Sequence, residues 1–423
     1  MTDFIKNGLT MAKNNLKCLF LSKDNLATNP RIKKEIDLAL ERGCDVTFVG
    51  FKLGNWADDL EKEILVRFSQ IKTKYLSASR GRKSLLWLIS SIIEKILRII
   101  YVFKKDSVFL AALSHSKRTV ELMWFLFWHR KNYDLVIAHT LPTLYPGLYY
   151  AKKTGAKFVF DVEDYHPGEA IEVGVKREKA RRELLLKELL PRVDALTYAS
   201  PLIGEYIELL VDTVPRVRAF IANSFPEEYF EYEQNDSEKI EFVWFSQNIG
   251  PRRGLELLIP SLWEYRDKVR ITLIGNLYND FWEGFLKQYK EVIKILPPMS
   301  ERLLYRVLCK YDIGCAIELD EVDLNRQICL TNKIYAYAQA GLFIFATNTK
   351  AQSWFLQQHN ELGILVMQFL NDFKRKIEFI IENIEDIRSR KRFRFEYAKQ
   401  LSWDHEKDKV WGIWNKILGK EKS

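Results

Sequence analysis

Two passages in this chain carry the residue types that grip a diphosphate. In FSQNIGPRRGLELLI, residues 245–259, Gly250, Pro251 and Gly254 shape a turn, and Arg252 and Arg253 stand just ahead of a helix. Paired guanidiniums beside the unbonded N–H groups of a helix start can hold a diphosphate bidentately. In NRQICLTNKIYAYAQAGLFIFAT, residues 325–347, Thr331 or Asn332 caps a short helix, Lys333 adds a cation to its first turn, and Gly341 stops it. FIFAT then reads as a buried parallel strand. The outward N–H groups and the macrodipole favour an anion at such a helix start, and a nucleotide-sugar diphosphate is one ligand that suits it. Glu318, closing the strand-like run DIGCAIE, adds a carboxylate for sugar hydroxyls.

The first half supplies acid/base groups. DVEDYHPGE, 161–169, follows the strand-like KFVF and brings Glu163, Asp164 and His166 to a strand end, where carboxylates beside a histidine can move protons or touch a donor sugar. Asp161-x-Glu163 is too little to define a metal site. The loop SKDNLATNPRIKKE, 22–35, offers Asn29 and Arg31 to an acceptor or a phosphate, with Pro30 suited to the first helical position. His139 closes DLVIAH and points at the same crevice. GxGxxG, the Walker loop, HExxH and GxSxG are all missing, which disfavours redox and hydrolase chemistry through those motifs.

A chain of 423 residues exceeds one ordinary core, so two or three domains are expected. With 47% apolar and 13% aromatic residues it is not a disordered protein. The formal charge of +9 suits anionic partners: nucleotides, lipid-linked diphosphates, phospholipid surfaces. Nothing resembles a zinc finger, an RNP signature or a basic zipper, so nucleic acid is not an expected partner. The five cysteines include no C-x-x-C and read as small apolar residues in a reducing compartment. The N-terminal MTDFIKNGLTMAKNNLKCLFLS lacks an unbroken apolar core with a cleavage site, so no signal peptide is expected. LLWLISSIIEKILRIIYVF, 85–103, contains Glu94, Lys95 and Arg98 and is flanked by Arg82, Lys83, Lys104 and Lys105. It is an amphipathic helix with basic ends, packed on its own domain or dipping into an anionic membrane face. VELMWFLFWHR, 120–130, reads as a core helix that would extend such a surface if exposed.

These residues need a scaffold. Strand-like runs occur at 17–22, 45–51, 134–139, 157–162, 194–200 and 218–223, then at 241–247, 270–276, 291–296, 312–319, 342–347 and 363–367, with helical segments between. Strands regularly separated by helices predict parallel sheets. Pro260 predicts an early end or kink in the helix after the arginine pair. The polar, acidic stretch 225–240 reads as the joint, and two doubly wound domains facing each other would leave a cleft at the carboxyl ends of both sheets.

Taken together, the chain resembles the glycosyltransferase family 4 type, nearly from end to end. SKDNLATNPRIKKEIDLALERGCDVTFV is similar to the family's first strand, acceptor-side loop and first helix. YDLVIAHTLPTLYPGLYYAKKTGAKFVFDVEDYHP is similar to its "D-hh-HaHd…lLpg…AkrlGak-hvyDaHElfP" region. SQNIGPRRGLELLI is similar to the loop that clasps the donor diphosphate, with Arg253 at the usual Lys place. TNKIYAYAQAGLFIFAT is similar to "NKhfEYhaaGhPVhat", and LSWDHEKDKVWGIW to the closing helix. The family's second acidic residue falls on Ala336, its "DaHE" histidine on Glu163 and the following Glu on Asp164; Glu318 answers to the first acidic residue.

The resemblance implies an α/β fold of two doubly wound Rossmann-like domains facing a cleft (GT-B). Residues 1–224 would form the acceptor-side domain, 225–240 a linker, 241–400 the nucleotide-sugar domain and 401–423 a helix crossing back. It implies a cytoplasmic enzyme moving a sugar from a nucleotide-diphosphate donor to a glycan or lipid-linked acceptor with retention, in surface polysaccharide or glycolipid synthesis. Neither cofactor nor metal is expected. Donor contacts fall to Gly250, Arg252, Arg253, Glu318, Thr331, Asn332 and Lys333, acceptor contacts to Asn29, Arg31 and His139, and catalytic roles to Glu163, Asp164 and His166. Peripheral contact with an anionic membrane, on its inner face, is expected through 82–105. A nucleotide-sugar epimerase of the same fold and a catalytically degenerate sugar-nucleotide-binding partner subunit are the alternatives.

Overall fold

The computed structural model describes residues 16–54, 57–77, 85–171 and 174–420. Arg82, Lys83 and the residues before Leu16 lie outside them. The first lobe is built on β1 (Lys17–Ser22), β2 (Asp45–Lys52), β3 (Lys72–Ser77), β4 (Leu135–His139), β5 (Lys157–Val162), β6 (Ala195–Tyr198) and β7 (Val217–Phe220). They form one parallel sheet in the order β3-β2-β1-β4-β5-β6-β7. The second lobe holds β8 (Ile240–Ile249), β9 (Val269–Leu277), β10 (Ile293–Leu296), β11 (Ile313–Ala316), β12 (Phe343–Thr347) and β13 (Gly363–Val366), parallel in the order β10-β9-β8-β11-β12-β13.

Side chains alternate across each strand, so a sheet buried on both faces needs apolar residues in succession. In β1, Leu19 and Leu21 enter one core and Cys18 and Phe20 the other. Both strand orders reverse once, between β1 and β4 and between β8 and β11. A crevice opens at the carboxyl ends beside such a reversal. Register then decides which side chains meet there: His139 lies opposite Ser22 of β1 and Asp161 of β5.

The strand β3 was not expected. KTKYLS is an edge strand whose first three residues face water, and its lysines read as loop for that reason. Pro260 does not end its helix, which runs Leu255–Trp263. Leu258, Ile259 and Leu262 are fully buried, and their burial outweighs the one backbone bond that proline removes. Phe225, Tyr229 and Phe230, in the stretch read as a joint, stack around Tyr305 of the second lobe, Phe225 at 4.3 Å between ring centroids. The helix Trp403–Ile417 returns to the first lobe, where Trp414 meets Phe20 edge-on at 6.1 Å and Glu406 accepts from the Ala222 N–H at 2.9 Å.

Candidate active site

A cavity of about 680 Å³ lies between the lobes. The first lobe lines it with residues 27–31 and 33 of the loop and helix after β1, and with Glu163 and Asp164 after β5. The second contributes 245–247, 274–276, 298–302 and 329–333. Gly275 permits the close approach of two strand ends there: a Cβ would sit 2.3 Å from the Ser246 carbonyl oxygen.

On the first lobe the cavity wall backs onto a buried charge cluster. Asn29 caps the helix Pro30–Glu41 with its side-chain oxygen, and its Nδ2 donates to Glu163 Oε1 at 2.7 Å. His139, wholly buried behind Glu163, contacts Glu163 Oε1 through Nδ1 at 2.7 Å and Glu35 Oε2 through Nε2 at 3.2 Å. Burial alone would lower its pKa, but Glu35, Glu163 and Asp161 raise it to about 10, so both ring nitrogens donate. Burial likewise opposes ionisation of Glu163, yet the His139 hydrogen bond and charge, with Asn29 and Arg31, hold its pKa down to about 2. The next residue, Thr140, takes a φ of 72°, strained for a β-branched side chain, as the chain turns away from His139.

Arg31 closes the cluster. Its Nε lies 2.5 Å from Asp161 Oδ2 and its Nη1 donates to the Ile221 carbonyl at 2.8 Å. Its Nη2 is buried without a partner although the residue borders the cavity. Glu35, His139 and Asp161 have ligand atoms within 4.8 Å of one another, close enough to hold a metal ion. The guanidinium on Asp161 already supplies the cation there, and His139 is held protonated, so the set does not fit a divalent ion.

Across the cavity, Thr331 caps the helix Asn332–Gln339 through its backbone alone, with no side-chain bond. Asn332 Oδ1 accepts from Asn223 Nδ2 of the first lobe. Lys333 Nζ donates to Glu318 Oε1 at 2.6 Å and stands 5.8 Å over the Trp244 ring. The lobes are tied beside the cavity. Lys33 pairs with Glu301, and Asn325 accepts from the Tyr165 N–H while donating to Asp164 Oδ1, both at 2.8 Å. Burial raises the Asp164 pKa against the pull of His166 and Asn325.

Asn29, Arg31, Glu163, Asp164, Thr331, Asn332 and Lys333 are thus brought together; the other sequence candidates are not among the cavity's lining. His139 stands behind Glu163. His166 accepts from the Leu141 N–H at 3.2 Å and turns Nδ1 to Glu169 at 3.0 Å, which occupies both nitrogens. Glu318 is buried against Lys333. Gly250, Arg252 and Arg253 lie on a loop whose Arg252 is exposed, its N–H bonded to Glu256 and its carbonyl to Arg326. Sequence reasoning missed Lys33, Glu301, Gln247 and Asn276. Only strand-end position marks Gln247 and Asn276, and no pattern links Lys33 to Glu301 across the chain.

Two Rossmann-like α/β domains meeting at such a cleft are the GT-B arrangement. No protein-family model and no curated protein sequence matches the chain. Among solved structures, the fold is similar to Anabaena HepE in complex with UDP, at TM-score 0.66 and 13% identity over 95% of this chain and 100% of that one. It is also similar to sucrose-phosphate synthase from Thermosynechococcus elongatus, at TM-score 0.69 and 12% identity over 96% and 100%. A glycosyltransferase from Rickettsia africae matches at TM-score 0.62 and 12% identity, again over 96% and 100%.

Proposed function

We propose that the chain is a retaining glycosyltransferase of the family 4 type. It would move a sugar from a nucleotide-diphosphate donor to a glycan or lipid-linked acceptor, in surface polysaccharide or glycolipid synthesis. The observation that carries this reading is the one cavity in which a helix start on the second lobe stands across from a fixed carboxylate on the first. The fold's likeness to HepE, solved with UDP and with UDP-glucose, supports it.

In this reading the bond from the anomeric carbon to the diphosphate oxygen breaks. The charge gathering on the leaving diphosphate is met by the N–H groups of residues 331–333 and by the buried positive charge of Arg31 in the cavity wall. The acceptor oxygen bonds to the same face of the sugar, and its proton departs on the diphosphate. Glu163, ionised and immobilised by Asn29 and His139, stabilises the positive charge that develops on the sugar ring. Such catalysis is positioning plus preorganised electrostatics. Asp164, oriented by Asn325 from the other lobe, offers an acceptor contact. No metal takes part, so a chelator leaves turnover unchanged. His166 serves the fold through Leu141, and Glu318 serves it through Lys333.

Thermal melting with a panel of nucleoside diphosphates and their sugars tests the reading. A ligand at a hundred times its Kd stabilises by about 2.7 kcal/mol, a readily visible shift. Stabilisation by one nucleotide class is expected, weakened in Asn332→Pro, which deletes a helix-start N–H at a position where proline fits, followed by nucleotide release when acceptor is added. No stabilisation by any of them refutes it. Ala336, fully buried where the family carries an acidic residue, favours a second reading: a partner subunit that binds the donor without turnover. Binding without release on any acceptor would establish that one, and turnover without acceptor would indicate the epimerase.

A further inference from the structure

Between β3 and β4 the chain inserts three helices, and the first is mounted with its polar side inward. In Leu85–Phe103, Ser90 is 1% exposed and Glu94 is buried, and Ser90 Oγ donates to Glu121 Oε1 at 2.8 Å. Leu85, Leu88, Ile92, Ile96, Ile99 and Phe103 recur every three or four residues and face solvent, Phe103 at 83% exposure. A helix that packs on its own domain does the reverse. The helix Lys117–Trp128, joined through Glu121, extends the bare surface with Trp124, Phe127 and Trp128. A contiguous apolar face of this kind marks an interaction surface.

We propose that this face docks on an anionic phospholipid bilayer, lying among the headgroups without crossing them. Charge selects the occupant. Lys95, Lys104, Lys105, Arg130 and Lys131 are all exposed in the same stretch, Arg98 pairs with Glu94, and Asp106 is the one exposed acid among residues 85–131. Cations around an apolar stripe match the negative surface of such a membrane. Tryptophans suit the boundary between headgroup and acyl chain. Among the described residues no helix is long and apolar enough to span a bilayer. A second copy fits worse, because a two-fold contact sets each patch against its own image and brings the basic residues together.

The face also connects to the cleft. Arg118, on the helix Lys117–Trp128, donates from Nη1 to the Lys23 carbonyl at 2.7 Å and to Asp24 at 2.6 Å. That loop continues to Asn29 in the cavity wall. A docked molecule would therefore hold the acceptor side of its cleft near the lipid surface. The docking stands independently of the reaction proposed above.

Flotation of the full chain with vesicles tests it, using phosphatidylcholine alone and phosphatidylcholine mixed with phosphatidylglycerol. The protein should float with the mixed vesicles at low salt and remain largely behind with the neutral ones. Ile92→Gln/Ile96→Gln/Ile99→Gln should melt as the native chain does, since these side chains are outside the core, and lose about tenfold or more in partitioning. Lys104→Glu/Lys105→Glu should weaken binding to mixed vesicles about tenfold and flatten its salt dependence. Absence of flotation with both vesicles, or equal flotation of the native chain and the triple variant, overturns the proposal. A dimer in sedimentation equilibrium that the triple variant dissociates overturns it too, and assigns the face to a second copy.

Discussion

Replacing His139 by Gln probes the charge cluster behind the cavity. The imidazolium is wholly buried and donates to two carboxylates, with a third, Asp161, 3.7 Å from Nδ1. Its pKa stands at about 10 against an ordinary 6.5. A raised pKa stabilises the fold fully below the unfolded value, and the gain is lost as pH climbs through the folded value. At pH 7 the shift corresponds to about 4 kcal/mol. Removing one partner from a buried ion pair costs about 3–5 kcal/mol, which agrees. Gln restores one donor, so a loss of roughly 3–4 kcal/mol is expected. Urea unfolding, followed by far-UV circular dichroism and tryptophan emission, measures it. The gap between native chain and variant should close to about 1 kcal/mol at about pH 9.5, because the native chain is then losing the same proton. A gap below about 1 kcal/mol near neutrality, or one independent of pH over this range, would show that His139 is not held as a cation.

Two further substitutions separate neighbouring features of the second lobe. Arg252→Ala/Arg253→Ala removes cations on a loop outside the cavity lining, so nucleotide affinity should fall by about fivefold or less, in line with exposed charges worth ~0.2–1 kcal/mol. That range stops short of a loss of about tenfold or more, which in calorimetric titration would place the diphosphate on that loop. Gly254→Ala meets two obstacles at once: φ is +77°, and the new Cβ falls 2.2 Å from Ile317 Cγ2. A loss of about 2–4 kcal/mol in thermal or urea unfolding is expected, and a change under about 0.5 kcal/mol would mean that the turn relaxes freely.

Most strands that the sequence revealed are buried on both faces, and the edge strands β7, β10 and β13 were apolar enough to be read as well. Runs such as CLFL, VIA and FIFA have no polar alternation because helices cover both sides of the sheet. KTKYLS escaped because its first three residues are polar and face water, as on a polar edge strand. The helix 85–103 was legible as amphipathic, but its direction was not. Apolar spacing identifies a stripe and leaves open whether the stripe faces core or solvent. Only the burial of Ser90, bonded to Glu121, and of Glu94 decides that.

The site was legible to the extent that strand ends predict it. Asn29, Glu163, Asp164 and the 331–333 turn follow β1, β5 and β11 in sheets whose carboxyl ends converge, so their meeting needed little beyond topology. What each side chain bonds to was not legible. His166 and Glu163 look alike in DVEDYHPGE, yet one is spent on Leu141 and Glu169 while the other reaches the cavity. Lys333 reads as a free cation beside a helix start, and it is neutralised by Glu318. The consequence is chemical. With Lys333 paired and Arg252 exposed outside the lining, the cavity keeps as donors the first N–H groups of the helix Asn332–Gln339 and the exposed Arg302, with the buried guanidinium of Arg31 in its wall. An anion bound there would be held by partial charges and a buried cation, with Arg302 adding one exposed charge. Salt screens the exposed Arg302 far more than the buried dipoles, so affinity should fall only in part as ionic strength rises.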